Sequence, residues 1–207
     1  MAALNRPGVS TVIVPSYPRA VWPVTPLEMG NAASNRRVIF RPGLTIEAKR
    51  GAFQGGADSL LMCRNLENVS FEGSGGATFL MHRSDYANSS LYNHSESRMG
   101  VELHGCRNVS LSGLNINSTV SGANTWIYYA NVAAMLLSSI GDEFVSRVDV
   151  RLISVACVQG GDGIYISGTG GHVVLPNGTR VYVCQRNESR DITIRNVHCH
   201  NNYRYQK

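Results

Sequence analysis

The chain of 207 residues carries 19 Lys and Arg against 14 Asp and Glu, a formal net charge of +5, and 21 glycines. This length suits one domain that can bury a core, and no apolar run approaches the roughly 20 residues of a membrane span. Aromatic and basic residues are not interleaved as in proteins that bind single-stranded nucleic acid. We therefore expect no membrane span and no nucleic-acid partner.

Residues 1–35 show no regular pattern of apolar residues and hold five prolines. Because proline fixes φ and lacks a backbone N–H donor, we expect this segment to be irregular. It also shows no charged start, apolar core and small-residue cleavage site, so no signal peptide is visible. The sequence predicts an irregular Pro-rich segment over 1–35 and a single domain over 36–207.

From residue 36 to 118, short apolar segments alternate with corners rich in Gly and Asn. Apolar and polar residues alternate within each segment, which is typical of strands with one buried face. The polar stretch 82–98, with Asp85, Glu96 and Arg98, is expected to be a solvated loop. The predicted strands are RRVIF, LTIEAK, SLLMC, NVSFEG and ATFLM, followed by the two strands that flank Cys106 within 99–118.

The pattern is interrupted over 119–150 and then resumes. WIYYANVAAMLLSSIGDEF, within 119–146, is the only plausible helix in the chain. After it come the strand signals VDVRLISVACV and GGDGIYISG, a Gly-rich loop over 168–180, and the strands VYVCQ and DITIRNVHC. These features predict a domain of strands with an insertion near 119–150.

One short pattern recurs at an almost constant interval. Its copies begin at Asn68, Asn108, Asp149 and Asp191, which are 40, 41 and 42 residues apart. A constant period of short strands and Gly or Asn corners is typical of a stacked solenoid. No copy has the stripe of a paired helix, and the period is too long for leucine-rich repeats. We therefore predict an all-β parallel β-helix, the alternative being a β-sandwich whose spacing is coincidental.

In such a stack, equivalent residues of successive copies lie in columns. The alignment puts Val69, Val109, Val150 and Ile192 in one inward column, with Leu111, Leu152 and Ile194 in the next. Cys63 with Cys106, and Cys157 with Cys199, are expected to form inward rungs of small side chains.

Four segments together resemble a known family. They are RPGLTIEAKRGAF, the run from SESR through VELHGCRNVSLSGLNI, GGDGIYISG, and DITIRNVHCHNNYR. Over about 37–118 and 153–204 the chain resembles the right-handed parallel β-helix repeat proteins of the pectate-lyase-like superfamily. The resemblance implies a right-handed single-stranded parallel β-helix and an association with acidic or other polysaccharides, as lyase, hydrolase or epimerase.

The chain departs from that family's pattern in three places. Residues 119–150 stand where the family's Leu-x-Ile strand runs almost directly into Gly-Gly-Asp-Gly-Ile, and the sequence stops at Lys207 where further coils would follow. Ser97 replaces a tryptophan that is common after the Ser-Glu pair. The first two departures predict a solenoid that contains an inserted segment and is itself truncated at its C-terminus.

Candidate catalytic residues lie at positions expected to face outward. Asp162 follows two glycines at a strand start, where a carboxylate could serve as a calcium ligand, as a general acid or base, or as a turn residue. Glu102 is its best carboxylate partner. His198 and His200 flank Cys199 and could supply a base, although an exposed ladder is the alternative.

The neighbouring outward positions supply candidate substrate contacts. Aligning GVELHG with GIYISG puts Glu102 beside Tyr165, and His104 beside Ser167. Aligning the long strands puts Asn115, Ala156 and His198 in one lane, with Asn117, Val158 and His200 in the next. We expect Tyr165, His104, Asn115 and Asn117 to contact a sugar polymer. Calcium, as a ligand of Asp162, is the one cofactor that the sequence suggests. No four residues have the spacing of a metal-binding site.

Two function classes follow. One is a carbohydrate-active protein acting on an acidic polysaccharide by lyase or hydrolase chemistry. The other is a non-catalytic β-helix that binds glycans or proteins, or an inactive fragment from an incomplete gene model. The net charge of +5 is compatible with a polyanionic partner and also with a solvated basic surface.

The Asn-x-Ser/Thr triplets indicate the compartment. Seven are present, of which Asn68 and Asn108 belong to the repeat itself and Asn117 to a strand. Their number favours a secreted or extracellular glycoprotein, and we expect the complete protein to be a monomer. The expected glycosylation sites are Asn88, Asn93, Asn177 and Asn187.

Overall fold

The computed structural model describes residues 3–4, 6–86, 88–93, 95 and 98–118, and beyond them the backbone of eight strands between residues 135 and 200. The described fold is all-β, and most of its strand pairs are parallel. Its helical elements within these residues are a 3-10 turn at Asn31–Ala33 and a one-turn helix, α1, at Arg83–Tyr86. No helix among the described residues is long and apolar enough to cross a membrane.

The first sheet consists of two arms, because the chain bends in the middle of its longest strands. Arm 1 contains, in spatial order, β1 (Thr11–Val14), β4 (Arg36–Phe40), the first half of β7 (Glu67–Met81), the first half of β9 (Arg107–Ser118), β11 (Ser146–Arg151) and β16 (Arg190–Ile194). Arm 2 contains β2 (Val21–Val24), β5 (Thr45–Ala48), the second halves of β7 and β9, β12 (Ser154–Ala156) and β17 (Cys199–His200).

The second sheet is also parallel. Its spatial order is β3 (Leu27–Met29), β6 (Leu61–Arg64), β8 (Val101–His104), β10 (Met135–Ser138) and β13 (Ile164–Ile166). A separate antiparallel hairpin joins β14 (Gly170–Val174) to β15 (Arg180–Cys184). The chain visits arm 1, arm 2 and the second sheet in turn, and one such circuit is called a pass below.

The core lies between the two sheets, where equivalent apolar residues of successive passes stack. Phe71 pairs with Val38 on one side and with Leu111 on the other, and all three side chains are buried. Burying one such side chain contributes about 1.5–3 kcal/mol. Stacking in register therefore makes each pass depend on its neighbours for a core.

The predicted columns are confirmed at Val69 and Val109, which pair and are buried. The predicted register of β11 is wrong by two residues, because Val148 rather than Val150 pairs with Val109. A shift of two keeps the same face inward, so both registers satisfy the apolar pattern. In the observed register, Val148 pairs with Val109 and Val150 pairs with Leu111.

The Pro-rich segment expected to be irregular holds three strands and completes the first pass. Pro23 lies in β2, which pairs only with β5 among the described strands. A strand at the edge of a sheet tolerates a missing N–H donor on its open side. Prolines at an edge thus do not exclude strand structure.

Two strands lie inside the stretch interpreted as an insertion. Met135–Ser138 pairs on both sides within the second sheet, and Ser146–Arg151 pairs with β9 and β16 in arm 1. These residues therefore belong to a pass, and Met135–Ser138 is strand where a helix was expected. The domain boundaries themselves remain a prediction.

Asparagines at or just before the start of three arm 1 strands form a ladder. Asn35, Asn68 and Asn108 all have positive φ, between 52° and 59°. The Nδ2 of Asn68 donates to Asn35 Oδ1, and the Nδ2 of Asn108 donates to Asn68 Oδ1, both at 2.8 Å. Asparagine tolerates this left-handed conformation better than most residues, which explains why the repeat begins with it.

The cysteine prediction is confirmed only in part. Cys63 and Cys106 are both reduced thiols and fully buried, as expected of small inward side chains. They do not form one rung, because Cys63 pairs with Leu103, while Cys106 Sγ lies 3.6 Å from the carbonyl oxygen of Cys63. Cys157 lies outside the described residues.

Candidate functional site

A glutamate and a histidine meet on the outer face of arm 2. Ile46 and Ala48 are buried, so Glu47 between them points away from the core. Leu80 pairs with Glu47, and His82 follows two residues later on the same face. Glu47 Oε1 and His82 Nε2 are 2.7 Å apart, with His82 almost fully buried and the Glu47 side chain 27% exposed.

An arginine and an aspartate extend this contact into a row of four side chains. Arg50, in the turn after β5, donates through Nη1 to Asp85 Oδ1 in α1. Its Nη2 lies 3.5 Å from His82 Nδ1. The Arg50 side chain is 61% exposed and that of Asp85 18%. Glu47, His82, Arg50 and Asp85 are called the outer cluster below.

The outer cluster defines the tautomer of its histidine. A guanidinium can only donate hydrogen bonds, so the His82 Nδ1 that faces it accepts. The ring proton is then on Nε2, which donates to Glu47 Oε1. The imidazole is therefore oriented from both sides, and its role is to hold Glu47 in place.

Two successive loops support the outer cluster. Tyr92 Oη accepts a hydrogen bond of 2.8 Å from the Gly51 N–H, and Ser95 Oγ donates to the Gly56 carbonyl oxygen. Arg98 donates to the carbonyl oxygens of Phe53, at 3.0 Å, and Gln54, at 3.1 Å. The stretch 82–98 therefore docks on the loop of the preceding pass. Arg98 is only 1% exposed, so it is not part of a solvated loop.

The structure places Glu102 and His104 on the outward side of β8 but buries both, at 5% and 7% exposed. Glu102 Oε1 lies 2.5 Å from His104 Nε2, and Ser59 Oγ donates to Glu102 Oε2 at 2.5 Å. Polar side chains that hydrogen-bond one another can be buried together. Their catalytic and substrate-binding roles stay predictions, which now concern two almost fully buried side chains. The order Ser–Glu–His also differs from a nucleophile triad, in which the histidine is central.

The predicted lane of Glu102 and Tyr165 is observed, with one strand between them. Leu136 of β10 pairs with Glu102 on one side and with Tyr165 on the other. The two residues are thus two strands apart, roughly 9–10 Å. His104 pairs with Ser138 of the same inserted strand, whereas Ser167 lies outside the described residues.

The lanes of arm 2 differ from the predicted ones by two residues at β12. Asn115 pairs with Ser154, while Asn117 pairs with Ala156 and Ala156 with His200. Asn117 and His200 therefore share a lane, as expected, with Ala156 rather than Val158 between them. The half-exposed Asn115 donates through Nδ2 to the Gly76 carbonyl oxygen at 3.2 Å. Asp162, His198, Asn177 and Asn187 lie outside the described residues.

The described residues hold no group of three or more His, Cys, Asp and Glu side chains that could bind a metal ion. The outer cluster thus offers carboxylate, imidazole and guanidinium chemistry. Sequence reasoning missed Glu47, Arg50 and His82, although aligning LTIEAKR with ATFLMHR would have put Glu47 beside Leu80 on an outward lane.

Comparisons with known proteins add little to this geometry. No protein-family model matches the chain, and no curated protein matches it. Among solved structures, the chain is similar to a "putative glycosyl hydrolase" from Parabacteroides merdae ATCC 43184, at 13% identity and a TM-score of 0.40. The match covers 95% of this chain and 81% of that one. A TM-score this low supports no conclusion about fold or activity, so the function must be argued from the outer cluster.

Proposed function

We propose that this chain is a carbohydrate-active protein that acts on an acidic polysaccharide at the outer cluster. The observation that carries the proposal is the row Glu47–His82–Arg50–Asp85, in which a solvent-reachable carboxylate is oriented by a buried imidazole beside an exposed guanidinium. A base held next to a cation is the arrangement that elimination from a uronate sugar requires.

In that reaction Glu47 takes the proton on the carbon next to the uronate carboxylate. A carbon–carbon double bond forms, the glycosidic carbon–oxygen bond breaks, and the departing oxygen takes a proton from water. Arg50 stabilises the negative charge that builds up on the uronate carboxylate. Two of its guanidinium nitrogens contact protein partners, and its 61% exposure leaves it open to a ligand as well.

Hydrolysis fits the same residues less well. It requires one carboxylic acid that carries a proton and a second carboxylate. Both Glu47 and Asp85 face N–H donors, from His82 and Arg50, so neither is arranged as the proton donor. We therefore favour lyase chemistry over hydrolase chemistry.

The proposal also includes a more specific fold than an all-β one. Parallel pairs at intervals of 33 to 40 residues support a right-handed parallel β-helix. So does a chain that visits arm 1, arm 2 and the second sheet in turn. The outer face of arm 2 then forms an extended surface along the stack, on which a polymer can lie. A polysaccharide substrate outside the cell also suits a secreted glycoprotein.

The test uses the full chain with polygalacturonate, and with dextran as the neutral control polymer. Unsaturated uronate is followed by ultraviolet absorbance, new reducing ends by a colorimetric assay, and binding by co-sedimentation. We expect unsaturated product from polygalacturonate only. Glu47→Gln should lower turnover by about 100-fold or more, while Glu28→Gln, at an exposed carboxylate paired with Arg64, should not change it.

The other outcomes separate the alternatives. Reducing ends without unsaturated product would replace elimination by hydrolysis. Binding with neither product would make the protein a glycan-binding module. If polygalacturonate is neither bound nor cleaved, the proposal is wrong.

A further inference from the structure

The seven Asn-x-Ser/Thr triplets fall into two structural classes where the structure describes them. All four of these asparagines are exposed: Asn68 and Asn108 in the asparagine ladder, and Asn88 and Asn93 on the stretch 82–98. A glycan must leave the folded chain undisturbed, so the hydrogen bonds of each side-chain amide decide which triplets suit it.

A sugar on either ladder triplet would crowd the asparagine ladder. The Nδ2 of Asn108 lies 2.8 Å from Asn68 Oδ1, and the Nδ2 of Asn68 lies 2.8 Å from Asn35 Oδ1. Adjacent strands of a sheet are about 4.8 Å apart. Glycosylation replaces one of the two Nδ2 hydrogens, so a sugar ring on either nitrogen would stand next to the donated hydrogen bond and crowd the neighbouring asparagine.

The triplet Asn88-Ser89-Ser90 has the opposite arrangement. Asn88 Oδ1 accepts hydrogen bonds from the Ser90 N–H at 3.1 Å and from Ser90 Oγ at 2.6 Å. The hydroxyl that defines the triplet thus faces the amide, and Nδ2 makes no hydrogen bond with the described residues. Asn88 is also exposed, so Nδ2 can carry a substituent without displacing a partner.

The second exposed triplet is tied to other contacts. Ser95 Oγ donates to the Gly56 carbonyl oxygen. The Asn93 carbonyl oxygen accepts two hydrogen bonds of 3.2 Å from Arg98. This triplet is therefore part of the contact between loops. The side-chain hydrogen bonds of the Asn88 triplet, by contrast, stay within that triplet.

We propose that Asn88 is an N-glycosylation site of this protein and that Asn68 and Asn108 carry no glycan. The donor is an oligosaccharide linked to a lipid pyrophosphate. The Asn88 Nδ2 forms a bond to the anomeric carbon of the first sugar, the bond from that carbon to the pyrophosphate oxygen breaks, and Nδ2 loses one proton. The lipid pyrophosphate leaves with the electron pair.

The glycan would stand beside the outer cluster. The Asn88 N–H donates to the Asp85 carbonyl oxygen at 2.9 Å, so Asn88 lies one turn after the aspartate of the cluster. The attachment itself does not depend on the proposed function, because it rests on the Asn88 triplet alone.

The test expresses the full chain behind a secretory leader in cultured animal cells. Secreted protein is treated with peptide N-glycosidase in ¹⁸O-water, which converts each occupied asparagine to a labelled aspartate that peptide mass spectrometry detects. We expect label at Asn88 and none at Asn68 or Asn108. Ser90→Ala should abolish the Asn88 label, whereas Ser89→Ala, at the position that the acceptor rule leaves free, should retain it.

Two results would overturn the inference. One is a secreted, folded chain with an unlabelled Asn88, where folding is checked by circular dichroism and a cooperative unfolding transition. The other is a folded chain labelled at Asn68 or Asn108, since the ladder would then tolerate a sugar.

Discussion

Arg98 holds two loops together with one buried cation. Its guanidinium donates to the carbonyl oxygens of Phe53, Gln54 and Asn93 and lies 5.4 and 5.6 Å from the ring centres of Tyr86 and Tyr92. Burying a charge is costly unless hydrogen bonds replace its water. Backbone carbonyls and aromatic faces do so here, and none of its contacts among the described residues is a carboxylate.

Replacing Arg98 by methionine should therefore loosen the stretch 82–98. The change keeps much of the side-chain length but leaves three carbonyl oxygens without their donor, a loss of about 2–4 kcal/mol in unfolding free energy. Denaturant unfolding measures the loss, and hydrogen exchange of residues 82–98 shows where it occurs. Arg64→Met, which removes an exposed arginine paired with Glu28, is the control and should cost less than 1 kcal/mol.

Cys63 is the residue for which a pH dependence is expected. Full burial raises the pKa of its thiol well above the ordinary value, because the thiolate loses its hydration. The unfolded chain therefore loses this proton at a lower pH than the folded chain. Above the ordinary thiol pKa, the unfolding free energy should fall as pH rises, and below it this residue should contribute no slope.

Iodoacetamide labelling checks this prediction. In the native protein at pH 9, Cys63 should stay unlabelled on a timescale over which it is fully labelled in denaturant. Cys63→Ala should remove the corresponding part of the alkaline slope of unfolding free energy. Rapid native labelling of Cys63 would show that the thiol is accessible and contradict the prediction.

Among the elements, the bend between the arms depends on two glycines in contact. A Cβ on Gly73 would lie 2.2 Å from the Gly113 carbonyl oxygen, and one on Gly113 would lie 2.3 Å from the Gly73 carbonyl oxygen. Gly113 also has a φ of +64°. Backbone thus meets backbone where β7 and β9 turn from arm 1 to arm 2, so neither position has room for a side chain.

Gly113→Ala should therefore lower the unfolding free energy more than a substitution that only strains the backbone. Gly43, with a φ of +73° and no atom within 4 Å of its would-be Cβ, is the matched control. Alanine at positive φ costs about 1–2 kcal/mol at either site, and the backbone clash adds about 1–3 kcal/mol at Gly113. Equal losses in thermal or denaturant unfolding would show that the bend can widen.

Alternation along single strands predicted which faces of most elements point inward, yet it could not predict burial on the other face. Glu102 and His104 do lie opposite the buried Val101 and Leu103, as the period of two requires. Their contact with one another and the hydrogen bond from the Ser59 hydroxyl allow both to be buried as well. That arrangement depends on a residue 43 positions away from Glu102, which no local pattern reveals.

For the whole molecule, the repeat predicted parallel stacking because Asn-Val-Ser occurs twice at an interval of 40 residues, and Val69 does pair with Val109. The outer cluster could not be predicted in the same way. Glu47 and His82 are 35 residues apart and meet only when two passes are in register. The strands of the first pass could not be predicted from the prolines of residues 1–35, because proline is excluded from interior strands but tolerated in edge strands.

Because the passes stack in parallel, the protein's resistance to force also depends on the direction in which it is pulled. Each interior strand is bonded to the pass before and the pass after it, and Val69 and Val109 mark an interval of 40 residues. Tension that peels one terminal pass breaks a single row of ladder bonds and leaves the remaining stack paired. An extended chain spans at most about 3.3–3.6 Å per residue, so each pass pulled free lengthens the molecule by roughly 130–140 Å. Under force, then, the chain yields in discrete steps of one pass, whereas shear applied along the strands must break many ladder bonds at once.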